Sequence, residues 1–276
     1  MEPGPGRPRY FKVIACEIAF REICRAAAAT PSILDLEFLT QGLHDQPSQG
    51  RLEIQKRIDA VPAGRYDAIL IGYGLCSSIL NGLSCPHTPL AIPRAHDCIT
   101  FFLGSKERYQ RCFSERPGTY YYTSGWLECR TRRGGEMQQG FGGFLPAGSA
   151  ESRQREYDGW VAKYGEEQAR YLAEVMAGWS SHYTHGVWIN FDFTRPLKLE
   201  DQVRQVCRER GWQYEEIPGD LGLLQRWLDG DWSDQEFLIV PPGRTVTPSV
   251  DEQVIALAPA AGADANASAD PRPTKL

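Results

Sequence analysis

The 276-residue chain is 42% hydrophobic and carries a formal net charge of −5. That length holds one large or two small domains with a sizeable core. The acidic balance excludes the basic field of a nucleic-acid binder and a polybasic membrane patch, and no stretch nears the roughly 20 apolar residues of a membrane span. Residues 1–9 are rich in Pro and Gly and read as disordered. They contain no apolar h-region, so they are not a secretory signal, and the expected location is cytoplasmic. Eight cysteines in that compartment read as reduced, metal-bound or catalytic rather than disulfide-bonded, and none forms a CxxC pair.

The first strand is Phe11–Cys16, followed by a helix from Glu17 to Ala29 stopped by Pro31. A second strand, Ile33–Leu39, leads into the Gly42–Gln49 loop with His44, and a helix over 50–61 buries Leu52, Ile54, Ile58 and Val61. Tyr66–Cys76 opens with an unbroken apolar run closed by Gly72 and Gly74, as a strand buried on both faces does. The glycines permit close backbone approach to a ligand, but the pattern is not GxGxxG and lacks a Walker lysine. Pro89–Pro93 is a fourth strand and runs into Arg94-Ala95-His96-Asp97-Cys98. Strand–helix alternation with short connections predicts parallel units with right-handed crossovers.

In such a sheet, ligands bind outside the carboxyl ends of the strands. Four successive strands therefore deliver Cys16, His44, Cys76 and His96-Asp97-Cys98 to one rim. Thiolate with imidazole is a soft-to-borderline ligand set, suited to zinc or, alternatively, an iron–sulfur cluster. Cys16, Cys76 and Cys98 are expected to share one coordination sphere, with His44 or His96 as a fourth ligand and Asp97 orienting an imidazole. Cys98 begins a helix over 98–116, whose dipole is expected to lower its pKa. Cys85-Pro86-His87 precedes the fourth strand and belongs at the opposite edge.

Thr119–Thr123 reads as a strand. If it is the fifth of the same sheet, Trp126, Glu128 and Cys129 approach the rim too, with Glu128 and Asp97 as acid–base candidates. Tyr73, Gly74, Arg94, Ser105 and Trp126 are the candidate substrate contacts. The bland readings are a tolerated helix glycine beside Ser105, a loop tryptophan at 126 and small core cysteines. Residues 130–150, rich in Gly and Arg, read as a mobile loop near the site. Residues 151–183 read as one or two helices. The α/β rhythm then resumes, with strands at 186–191, 212–217 and 237–240, helices at 199–210 and 221–228, and a terminal strand or arm over 246–255.

The expected organisation is a doubly wound, mostly parallel α/β lobe over 10–129, a loop and helical insertion over 130–183, a second α/β lobe over 184–257, and a disordered tail over 258–276. The blocks Ala15-Cys16-Glu17, Leu43-His44-Asp45, Tyr73-Gly74-Leu75-Cys76, Pro93–Cys98, Leu103-Gly104-Ser105 and Thr123–Glu128 resemble the signature of the domain-of-unknown-function family number sixteen thirty-eight, across roughly 10–245. Members of that family occur in anaerobes and methanogens beside corrinoid-dependent methyltransferase systems. The resemblance therefore implies methyl-group or one-carbon metabolism.

Two functions from different classes follow. One is a metal–thiolate enzyme acting on a small molecule, in which the metal lowers the pKa of a bound thiol as alkyl transfer to sulfur requires. The other is a non-catalytic metal or corrinoid chaperone serving a methyltransferase, with a corrinoid protein as partner. The corrinoid-binding Asp-x-His-x-x-Gly element is absent, so the chain does not carry cobalamin as those modules do.

Overall fold

The computed structural model describes residues 7–41, 43, 46–76, 78–132, 154, 157–159, 161–162, 165–170 and 183–259. Most of the glycine-rich 130–150 loop lies outside these residues. Among them, no helix is long and apolar enough to cross a membrane.

The fold is mixed α/β, built on one mostly parallel sheet and a second parallel one. The first runs β2 (Ile33–Leu39), β1 (Tyr10–Cys16), β3 (Ala68–Gly72), β4 (Leu90–Pro93) and β8 (Phe237–Val240). β1 pairs in parallel with both β2 and β3, and β3 with β4, as strand–helix alternation predicts. Every residue of β3 and β4 is buried, which is why both read as unbroken apolar runs. α1 (Phe20–Ala27), after a 3-10 turn at Glu17–Ala19, and α2 (Pro47–Asp59) make the crossovers.

The helix expected over 98–116 is two. α3 (Ile99–Leu103) ends at Gly104 with φ 80°, and α4 (Lys106–Glu115) restarts from Ser105. Glycine adopts that left-handed backbone without a Cβ penalty. Here it is also packed: a Cβ on Gly104 would stand 2.6 Å from the Asp220 Cβ.

The strand at Thr119 does not join the first sheet. β5 (Thr119–Tyr122) pairs in parallel with β6 (His185–Asn190), and β6 with β7 (Gln213–Pro218), making the second sheet. β8, read from sequence as part of the C-terminal lobe, instead returns to the first sheet, antiparallel to β4 from Leu90↔Val240 to Pro93↔Phe237. Partner choice follows from what covers each strand. α5 (Ser124–Arg132) follows β5, and α6 (Glu200–Arg210) covers the second sheet through Val203 and Cys207, which pack with Tyr122 and Trp188. α7 (Gly222–Asp229) crosses back over the first sheet, where the Trp227 Nε1–H donates to the Ala91 carbonyl at 3.0 Å. Ile189 of β6, Trp227 and Phe237 then share one core with Val13 and Ala91. A short β9–β10 ribbon (Val246–Pro248, Ile255–Leu257) completes the described chain.

Candidate functional site

Side-by-side placement of β1, β3 and β4 brings three thiols to one rim. Cys16 closes β1. Beyond β3 and β4 the ladder continues, with Leu75 N–H donating to the Ala95 carbonyl at 2.8 Å and Cys76 N–H to that of His96 at 3.0 Å. The two post-strand segments therefore run together, and Cys76 and Cys98 arrive at the same place by backbone pairing. Gly74 makes this possible, because a Cβ there would stand 2.7 Å from the Asp97 Cα. Gly72 is likewise crowded by Ala15 and Trp227. The close approaches these glycines permit are to the protein's own chain. Cys76 sits at φ 30°, a left-handed backbone that costs a non-glycine residue roughly 1–3 kcal/mol and clusters at functional sites.

A cavity of about 320 Å³ opens at this rim. Cys16, Cys76, Cys98 and Asp97 line it, with Tyr73 and Gly74 beside them. Tyr109 and Phe113 of α4, Tyr120 and Tyr121 of β5, and Trp126 of α5 also face it. The site is thus walled by elements that border both sheets. A second approach fixes that wall: a Cβ on Gly125 would lie only 1.7 Å from the Ile18 carbonyl oxygen, in the turn that follows Cys16.

None of the eight cysteines is in a disulfide. Cys16, Cys76 and Cys98 are half-buried by surface, and the cavity is what they border. Burial raises the pKa of each, that of Cys76 to about 12; Asp97 adds to the rise at Cys76, and Cys76 adds to it at Cys16 and Cys98. Cys98 was expected to be acidified by the helix it begins. Desolvation, Cys76 and Asp97 outweigh any contribution from a helix of five residues. Asp97 is itself pushed up by burial, although its Oδ1 accepts from Ile99 N–H at 2.9 Å and its Oδ2 from the Tyr109 hydroxyl at 2.9 Å. Among the described residues, the bonds that hold Asp97 come from backbone and from the Tyr109 hydroxyl rather than from an imidazole.

The fit of a metal to this rim is partial. Three soft sulfur donors with a carboxylate suit zinc or an iron–sulfur cluster by ligand chemistry. Among the described residues, however, no three His, Cys, Asp or Glu side chains form a ready-made metal cage. His44 lies outside the described residues. His96 does not line the cavity; its exposed ring stacks on Tyr109 with centroids 6.4 Å apart.

Of the remaining candidates, Tyr73, Gly74 and Trp126 line the cavity and three others do not. Arg94 ties β4 to its neighbours: its Nε donates to the carbonyls of Asp234 at 2.8 Å and Phe237 at 3.2 Å, and its Nη1 to those of Gln253 and Ile255. Ser105 is a helix cap, its Oγ accepting from Arg108 N–H at 3.1 Å. Glu128 forms a two-pronged pair with Arg21 at 2.6 and 2.7 Å, which holds α5 against α1. Each was placed at the site by sequence proximity to a rim residue, and each side chain satisfies a local structural bond instead. Cys129 is buried and does not line the cavity.

Sequence reasoning missed Tyr109, Phe113, Tyr120 and Tyr121 as wall residues. Tyr109 and Phe113 read as the apolar face of a helix, and the only signal for a second helix was the Gly104-Ser105 step. The Tyr120-Tyr121-Tyr122 run was visible, but its sheet was not.

Together, fold and rim define a two-sheet α/β protein with a thiol-lined, aromatic-walled cavity at the carboxyl ends of its central strands. The family model for a protein of unknown function, DUF1638, matches residues 38–228, more than half of the chain. The chain belongs to that family. Cys16 stands N-terminal to the matched span, whereas Cys76, Cys98 and the aromatic wall through Trp126 fall within it. No curated protein and no solved structure matches the chain.

Proposed function

We propose that the protein is a metal–thiolate enzyme acting on a small molecule in the rim cavity, with methyl or other one-carbon transfer as its reaction class. The observation that carries this reading is the convergence of Cys16, Cys76 and Cys98, from three adjacent strand ends, on one cavity. Pockets for small ligands span about 300–1,000 Å³, and this one stands at the lower end, suited to a small substrate rather than a corrinoid.

Cys16, Cys76 and Cys98 would hold the metal, zinc or alternatively the iron of a cluster. Bound there, it supplies a positive charge that stabilises thiolate and polarises substrate. The chain's own part is to deliver the thiols by backbone pairing, to fix Asp97 through Ile99 N–H and the Tyr109 hydroxyl, and to exclude water with aromatic walls. Asp97 is the acid–base candidate that borders the cavity. A cytoplasmic location fits free thiols.

Three thiols that border one cavity without forming a cage among the described residues also suit a second reading, a metal-carrying accessory protein whose thiols close on the ion only when it arrives. Turnover of a methyl donor by the metal-loaded protein separates enzyme from carrier.

The test is metal analysis of protein purified without oxygen. The wild type is expected to hold about one zinc or one cluster per chain. Cys98→Ser is expected to lose it while keeping its far-ultraviolet circular dichroism, because a rim ligand is not a core residue. Full metal content in Cys98→Ser, or a metal-free wild type, removes the shared site.

A further inference from the structure

The cavity lining carries a charge signature. Among the described residues, no lysine, arginine or histidine lines it, and the one carboxylate there is Asp97. Against these described residues, a phosphate or carboxylate ligand meets no cationic partner and faces Asp97 and three sulfurs. Anionic substrates are therefore disfavoured.

The walls add a second, independent feature. Tyr73 comes from the segment after β3, Tyr109 from α4, Tyr121 from β5 and Trp126 from α5, so aromatic side chains border one space from four separate elements. Ring faces attract cations, and they do so most where the cation is weakly hydrated and enters a water-poor site. A small inorganic cation gives up too much hydration to favour such walls. A cation whose charge is spread over methyl groups loses little and fills the space between rings.

We propose that the cavity binds a methyl-bearing organic onium ion, a quaternary ammonium or a sulfonium. Tyr73, Tyr109, Tyr121 and Trp126 form its cage, and Asp97 is the counter-charge. This rests on the reading of the cavity as the functional site, but not on the metal. At about 320 Å³ the space accommodates a trimethylated head group together with part of the chain that bears it.

Calorimetric titration of the full-length protein with four probes tests the proposal. They are choline, its neutral isostere 3,3-dimethylbutan-1-ol, trimethylsulfonium and acetate. Choline or trimethylsulfonium is expected to bind saturably and about tenfold or more tighter than the neutral isostere, and acetate not to bind. The ratio between the two cations identifies the ammonium or the sulfonium as the preferred class. Trp126→Leu and Asp97→Asn are each expected to weaken the preferred cation by about tenfold. Equal affinity for the neutral isostere, binding of acetate, or no saturable binding of either cation overturns the inference, and the wild-type comparison does so without any variant. Metal analysis of the same samples keeps the two readings apart. If metal is present and lost in Cys98→Ser while neither cation binds, only the onium proposal fails. If the cation binds to metal-free protein, only the metal reading fails.

Discussion

Glu22 has no exposed surface on α1, with its Oε1 accepting from the Ser124 hydroxyl at 3.1 Å and its Oε2 lacking a partner. Burial raises its carboxyl from an ordinary value of 4.5 to about 7. The folded chain thus holds this proton more tightly than the unfolded chain does. Stability is fully present below the unfolded value and is lost as pH rises through about 7. The loss is of order 3 kcal/mol, from about 1.4 kcal/mol per pKa unit. Glu22→Gln should remove this dependence. Urea midpoints for variant and wild type are expected to agree near pH 4, below the unfolded value, and to diverge by pH 8, with the variant more stable. Parallel midpoints at both pH values would mean that Glu22 is not buried as a neutral acid.

Gly125 is a second residue whose effect is decided by magnitude. In a helix, alanine is favoured over glycine by roughly 1 kcal/mol. Against that, an added Cβ meets the Ile18 carbonyl oxygen at 1.7 Å, a backbone atom that cannot rotate away. Overpacking of this kind costs about 1–3 kcal/mol or more. Gly125→Ala is therefore expected to lower stability, and to weaken binding in the cavity by moving Trp126. A more stable Gly125→Ala protein in thermal melts would contradict the contact between α5 and the turn after Cys16.

At the scale of elements, α7 decides how the strands are covered. Trp227 is fully buried, packs on Gly72 and donates to the Ala91 carbonyl, so it bridges β3 and β4 from above. Trp227→Ala is expected to cost about 3–5 kcal/mol from the cavity it leaves, plus about 1 kcal/mol for the lost hydrogen bond. Chemical denaturation measures this; a loss below about 1 kcal/mol would mean the helix does not hold the rim strands. The strands themselves were legible: β1, β2, β3 and β4 are short apolar or alternating runs, three of them closed by Cys, Gly or Pro, and the helices after β1 and β2 imply the parallel pairing. The break between α3 and α4 was not legible as a break, because a lone glycine in a helical pattern is often tolerated. The contact with Asp220, more than a hundred residues away, makes this one a terminus.

For the whole molecule, the two sheets share a core through Val13, Ile189, Trp227 and Phe237. β8 is supplied to the first sheet by a segment that follows all strands of the second. Neither sheet is complete without chain from the other half, so unfolding is expected as one cooperative transition. Circular dichroism and tryptophan fluorescence should give the same midpoint in urea. Two separated transitions would indicate independent lobes.

Sequence alone determined the α/β class, the central strands with their parallel pairing, and the delivery of Cys16, Cys76 and Cys98 to their carboxyl ends. These depend on local apolar periodicity and on the rule that parallel neighbours present their ends together. It did not determine that Arg94, Ser105 and Glu128 turn away to a carbonyl cluster, a helix cap and Arg21, since a side chain's partner is chosen by whichever group lies nearest in space. Nor did it determine the aromatic wall or the raised thiol pKa values. Those required β5 to leave the first sheet and α4 and α5 to close over the rim. The outcome rests on long-range burial, which removes water from the thiols more effectively than a short helix can offset.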